Sequence, residues 1–294
     1  MWNRVEKLVG FIGPTTVLTA LLFYFGYVAT RARFLYFGVA LDLLDLSTQD
    51  ILLYGVEALY VPVTALFLAL LVAVTGHAMI GGLLALEHRG IVGWLGVATL
   101  LASVLLLARA VIGIVLPRIS EAEFPGVTPL CLTIGAALFG YGLWLLRRVG
   151  LLWAEQAEDR RRRAIRNWLG SRSVVFLWRL IGVAVSALMI AGLFWATNSF
   201  ANAYGKGRGH EDAQGLPERP AVLLYTSERI VDLPPGVTET QLPAEDEALV
   251  RYRYDGLRLL LESEGRLFLV PSHWTDDSAC LVIPYEGVSL RTDP

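Results

Sequence analysis

Charge is scarce in this chain. Only 18% of its 294 residues are Asp, Glu, Lys or Arg, against about a quarter in ordinary soluble domains. With 55% hydrophobic residues and a mean hydropathy of +0.53, that deficit excludes intrinsic disorder and a wholly soluble globular enzyme. Cysteine is almost missing: Cys131 and Cys280 stand alone, too few for a disulfide framework. Lysine is rarer still relative to expectation, since only Lys7 and Lys206 are lysine among 25 basic residues. Nothing in the charge pattern points to nucleic acid. The sequence also lacks GxSxG, HExxH, CxxC, P-loop and dinucleotide fingerprints. Their absence removes the common signatures of serine hydrolases, zinc proteases, thiol redox enzymes and nucleotide-binding enzymes. No enzymatic activity, cofactor or metal is therefore expected.

What is present is apolar sequence in long blocks, all before residue 200. A bilayer core takes about 20 apolar residues per helix. Five segments meet that length: Leu8–Val28, Leu53–Thr75, Ile91–Leu116, Val127–Leu146 and Val174–Thr197. Aromatic residues such as Tyr24, Tyr54, Trp94, Trp144 and Trp195 mark their ends, as at membrane–water interfaces. The first segment is longer than a signal peptide's apolar region and lacks a clean small-residue cleavage site, so it is read as an uncleaved anchor.

The charges fix a direction. Residues 1–200 carry 16 basic and 11 acidic side chains, whereas residues 201–294 carry 9 and 16. The loop after the fourth segment holds Arg147, Arg148, Arg160, Arg161, Arg162, Arg163, Arg166 and Arg172. By the positive-inside rule this loop is cytoplasmic. Five spans then place the N-terminus in the cytoplasm and the C-terminus outside the plasma membrane. The basic run Arg160–Arg163 with Arg166 also suits anionic headgroups, although a solvated face is the simpler reading.

The expected fold is an all-α transmembrane bundle of five helices plus a small β-rich α+β extracytoplasmic domain. Its domains are residues 1–200 in the membrane, a glycine-rich linker at 201–219, and a soluble domain at 220–294. In the last, Ala221–Tyr225, Leu249–Tyr254, Leu257–Glu262, Arg266–Val270, Leu281–Tyr285 and Val288–Arg291 read as strands, and Ser263-Glu264-Gly265 as a hairpin turn. Arg31–Asp50 is too apolar for a free loop, and is expected at the outer interface or against the soluble domain. Ser47-Thr48-Gln49-Asp50 reads as a capping box opening the second span.

Few residues carry candidate chemistry. Glu57 and Arg109 lie inside the second and third spans at similar depth from the outer side. Each is costly alone in the bilayer, so an intramembrane ion pair between them is expected, with a polar pathway as the functional alternative. His210-Glu211-Asp212 and the pair His77 and His88 lack the spacing of a metal site. His273-Trp274-Thr275-Asp276-Asp277 places an imidazole near carboxylates but shows no nucleophile, and a turn with a packed Trp274 is the favoured reading. Small residues at Ala98 with Ala102 and at Ala136 with Gly140 suit close helix contacts, within one chain or in a homo-oligomer.

Four stretches together carry a resemblance. They are Tyr36-Phe37-Gly38-Val39 with Leu46–Asp50, Arg219–Thr226, Tyr252–Leu260 and Leu267–Pro271. The arrangement resembles uncharacterised multi-span membrane proteins of actinobacteria with a small extracytoplasmic C-terminal domain. It implies architecture and location only, with no assigned activity or site. The expected function is a binding, sensing or accessory module of the membrane working through its outer domain, with the lipid bilayer and a homo-oligomer or membrane protein as partners. The alternative is a channel or transporter component using Glu57 and Arg109.

Overall fold

The computed structural model describes residues 2–121, 123–155, 171–243, 250–275, 277–285 and 288–293, with side chains for 15–120, 123–152, 171–243, 250–275 and 277–285. Among these residues there are six α-helices: α1 Trp2–Leu35, α2 Thr48–Ala85, α3 Arg89–Val115, α4 Pro117–Glu121, α5 Val127–Glu155 and α6 Arg172–Gln214. Six strands follow: β1 Ala221–Thr226, β2 Thr238–Gln241, β3 Tyr252–Ser263, β4 Arg266–Pro271, β5 Leu281–Pro284 and β6 Val288–Asp293.

Four helices, α2, α3, α5 and α6, are long and apolar enough to cross a membrane. Their most apolar stretches are only 6 to 28% buried by the protein. Side chains such as Phe67, Val72, Leu105 and Ile190 point outward instead. Helices that are apolar all round and yet unburied fit a lipid environment. These four coincide with the second to fifth expected spans. The first, Leu8–Val28, falls in α1, whose side chains before residue 15 lie outside the described ones.

The chain divides into two compact units, residues 1–59 with 201–294, and residues 60–200. The expected boundary at residue 200 falls inside α6, and the sheet belongs to the same unit as α1.

In the first unit, the capping box forms: Ser47 N–H and Oγ both reach Asp50 Oδ2, at 3.2 and 2.6 Å, and Asp50 N–H donates to Ser47 Oγ. The sheet is antiparallel, in the order β5-β4-β3-β1-β6, with β2 also on β3. Of two expected strands, Leu249–Tyr254 supplies only Tyr252–Tyr254 and Leu257–Glu262 all its residues to one long strand, β3; Leu249 lies outside the described residues. Between them, Gly256 (φ 92°) sits in a bulge opposite Val222–Leu224. There β3 exchanges β2 for β4 as its neighbour. A Cβ at Gly256 would lie 2.5 Å from the carbonyl oxygen of Gly236, so only glycine fits the bend. The expected hairpin joins β3 to β4 with Glu264 and Gly265 both at positive φ, 48° and 68°, as a tight primed turn requires. No helix occurs among the described residues of 220–294, so the expected α+β domain is all β there.

β4 is buried on both faces. Leu267 and Leu269 join Val222, Leu224, Tyr254 and Leu257 in one core. Phe268 and Val270 face a second core made with Phe34, Phe37, Val39, Leu41, Leu44, Ala213 and Leu216. The Arg31–Asp50 segment thus packs against the sheet, and a 3-10 turn at Leu41–Leu43 carries part of that contact.

The second unit is a helical bundle keyed by glycines set against large apolar side chains. On α3 and α5, Gly96 meets Leu146, Gly142 meets Leu100 and Gly135 meets Leu107. The buried Ser103 hydroxyl donates to the Gly135 carbonyl at 2.8 Å. The expected face at Ala136 and Gly140 is used, since Ala136 is buried and Gly140 lies against Val185 of α6. Ala98 and Ala102 are exposed instead.

Candidate functional site

The glycine-rich stretch Gly205–Asp212, expected as a linker, is the end of α6. Its glycines serve packing. Ala201, Gly205, Gly209 and Ala213 recur every four residues and all are buried. This stripe lies on α1: a Cβ on Gly205 would come 2.0 Å from the Ala29 carbonyl oxygen, and one on Gly209 2.8 Å from that of Arg33. On another side of α1, Gly26 and Gly55 of α2 touch in the same manner. Three backbones approach closely because no side chain keeps them apart, the small-xxx-small arrangement of membrane helices.

Close backbones bring the flanking polar side chains together. Arg33 grips Asp212 through two bonds, Nε to Oδ2 at 2.5 Å and a terminal nitrogen to Oδ1 at 2.9 Å, the strong bidentate geometry. Arg219 reaches the same carboxylate at 3.3 Å and donates to the Leu259 and Leu260 carbonyls of β3. Arg258 of β3 donates to the Leu216 carbonyl. Tyr36 Oη meets His210 Nδ1 at 3.1 Å, and Gln214 meets the other ring nitrogen. One row of charges thus ties α1, α6 and the sheet together.

Beside this collar is a pocket of about 480 Å³, within the size range of small-molecule sites. Leu35–Val39 form one wall, and Trp274, Ser278–Cys280 and Val282 the other. Trp274 packs edge-on against Phe37, with ring centroids 5.0 Å apart. Cys280 is a free thiol, and burial pushes its pKa up to about 12. A neutral thiol is a weak nucleophile. The pocket presents polar and apolar surface in about equal measure, and none of its lining side chains is charged.

Glu57 and Arg109, expected as partners of each other, each have a partner within their own unit. Glu57 accepts from Tyr204 Oη at 2.6 Å and lies 3.4 Å from Arg208 Nε. Arg208 also pairs with Glu211 at 2.8 Å. Arg109 pairs with Glu123 in the segment after α4. Both charges are met by residues beyond the apolar blocks, where the protein has polar side chains to spare. Arg160, Arg161, Arg162, Arg163 and Arg166 lie outside the described residues.

The remaining sequence candidates disperse. His210, Glu211 and Asp212 bind three separate partners because neighbouring helix positions point in different directions. His77 meets Tyr141 Oη at 3.1 Å beside Trp144. His273 is exposed, and Trp274 is packed as expected. No cluster of metal-binding side chains occurs among the described residues. Sequence reasoning missed the pairing of Asp212 with Arg33 and Arg219, the role of Arg208, and the pocket. The available signal was the four-residue recurrence Ala201, Gly205, Gly209, Ala213, which identifies a packed helix. Comparison of the chain with protein-family models, with curated proteins and with solved structures finds no match.

Proposed function

We propose that the protein is a non-enzymatic binding or sensing module of the plasma membrane, with five spans and the sheet domain outside. It takes up an apolar or amphiphilic ligand group in the Phe37–Trp274 pocket. The observation that carries this reading is the pocket's double construction: one wall continues from the end of α1, and the other is the β4–β5 connection with β5. Occupancy therefore bears on helix and sheet at once, and the Arg33–Asp212–Arg219 row supplies a stiff link between them. The lack of a charged side chain among the lining residues, with Phe37 and Trp274 in the walls, favours an apolar or amphiphilic group over an ion. Transport through Glu57 and Arg109 has less support, because each charge is neutralised by its own partner.

The test is photo-crosslinking in native membranes. A benzophenone amino acid at Val282, which lines the pocket, should give a discrete adduct identifiable by mass spectrometry. Ala279→Trp, which fills the pocket, should abolish it. The same adduct in both proteins, or only a diffuse spread of bilayer lipids, rejects the reading.

A further inference from the structure

Within the second unit, α3 and α5 are tightly keyed along most of their contact and part at one end. A Cβ at Gly96 would press into Leu146, 2.8 Å from Cδ2. One helical turn earlier, a Cβ at Gly93 would meet only Val149, at 4.0 Å. At Gly90 it would meet nothing within 4 Å. The missing side chains leave a groove of about 340 Å³, walled by Trp94, Leu146 and Val149, with Arg89 at its mouth. Trp94 is 77% exposed, so the groove opens on the face that the bilayer covers.

We propose that this groove is a binding site for one anionic phospholipid, with an acyl chain along Gly90 and Gly93 and the headgroup phosphate at Arg89. The chemistry is complementary at both ends. The groove is apolar where a chain would lie. At its mouth Arg89 uses one terminal nitrogen on the Leu152 carbonyl, at 3.1 Å. A guanidinium has five N–H donors, so several remain for a phosphate. Arg89 also begins α3, whose N-cap His88 makes no side-chain capping bond. Arg89 N–H is held by the Glu87 carbonyl at 2.8 Å, and the positive end of the helix dipole adds to the attraction for an anion. Basic sites between spans at the end of a bundle suit such headgroups. The occupant is a lipid of the surrounding bilayer, since a free phosphate would leave the groove empty.

Native mass spectrometry of the intact protein, titrated with phosphatidylglycerol or phosphatidylcholine, tests the site. The wild type should hold one phosphatidylglycerol about fivefold more tightly than phosphatidylcholine, which is what one arginine beside an anionic headgroup supplies. Arg89→Gln should erase that preference. Gly90→Leu and Gly93→Leu should lower retention of both lipids, and a Cβ at Gly90 meets nothing within 4 Å, so that variant keeps the test open if the other fails to fold. Arg148→Gln, which changes a nearby charge outside the groove, should leave the preference intact. Equal retention of the two lipids by the wild type overturns the proposal. So does a preference that survives Arg89→Gln or falls equally in Arg148→Gln, retention unaffected by both glycine variants, or displacement of phosphatidylglycerol by millimolar inorganic phosphate.

Discussion

At the scale of single residues, Cys280 and Asp212 are the most informative. Burial holds the Cys280 thiol protonated, with its pKa pushed up to about 12 from an ordinary 9.0. The folded state therefore binds this proton more tightly than the unfolded chain. The associated stability is complete below the unfolded value and is lost as pH rises between about 9 and 12. In a Cys131→Ser background, alkylation of Cys280 by iodoacetamide should be slow at pH 7 and keep rising with pH beyond 9 without levelling off, because the thiolate fraction grows up to the raised pKa. It should accelerate sharply on denaturation. A rate that levels off near pH 9 would show an accessible, ordinary thiol. Asp212 compensates two arginines, Arg33 and Arg219, and is itself only 15% exposed. Asp212→Asn should cost roughly 2 kcal/mol, the scale of a hydrogen-bonded charge losing its partner. Adding Arg33→Gln to it should cost less than the sum of the two, because an uncompensated charge is the expensive state. Thermal unfolding in detergent measures both, and strictly additive losses would mean that the two side chains act independently.

At the scale of elements, the end of α6 shows where sequence reasoning fails and why. Glycine costs about 1 kcal/mol in a helix interior, so Gly205-Lys206-Gly207-Arg208-Gly209 reads locally as a linker. The contact with α1 overrides that preference at Gly205 and Gly209, which are buried, and leaves Gly207 exposed with nothing within 4 Å of a Cβ. The two kinds of glycine should respond oppositely to alanine. Gly207→Ala should be neutral or stabilise by up to about 1 kcal/mol, from helix propensity alone. Gly205→Ala should destabilise by about 1–3 kcal/mol, the usual penalty of overpacking, because its Cβ meets the Ala29 carbonyl. Equal responses in thermal unfolding would show that α6 does not press on α1. Elsewhere local chemistry was legible. The Ser47–Asp50 capping box and the Glu264-Gly265 turn have short-range causes and form as read. The bulge at Gly256 was not legible, because a glycine between two apolar runs looks the same as a turn until a neighbouring strand is known to cross it.

At the scale of the whole molecule, long apolar blocks were readable because their composition has one physical use. Four of the five expected segments coincide with helices able to cross a membrane. The partners of Glu57 were not readable, since Tyr204 lies 147 residues away and nothing local announces it. The proposed orientation rests on charge. α6 is 43 residues long, about 65 Å at 1.5 Å per residue, twice the hydrocarbon thickness of about 30 Å. Its first apolar portion, Val174–Thr197, suffices to cross the bilayer, so Ala201–Gln214 projects beyond it. The arginine-rich 147–172 region precedes α6 and the sheet follows it, so one crossing separates them. On the proposed topology, with the Arg-rich region retained in the cytoplasm, the sheet lies outside. In a cysteine-free background, Ser227→Cys, on an exposed turn after β1, should react with a membrane-impermeant maleimide on intact cells. Asn167→Cys should react only after lysis. The reverse pattern would invert the topology, place the Phe37–Trp274 pocket in the cytoplasm, and rule out every ligand that arrives from outside.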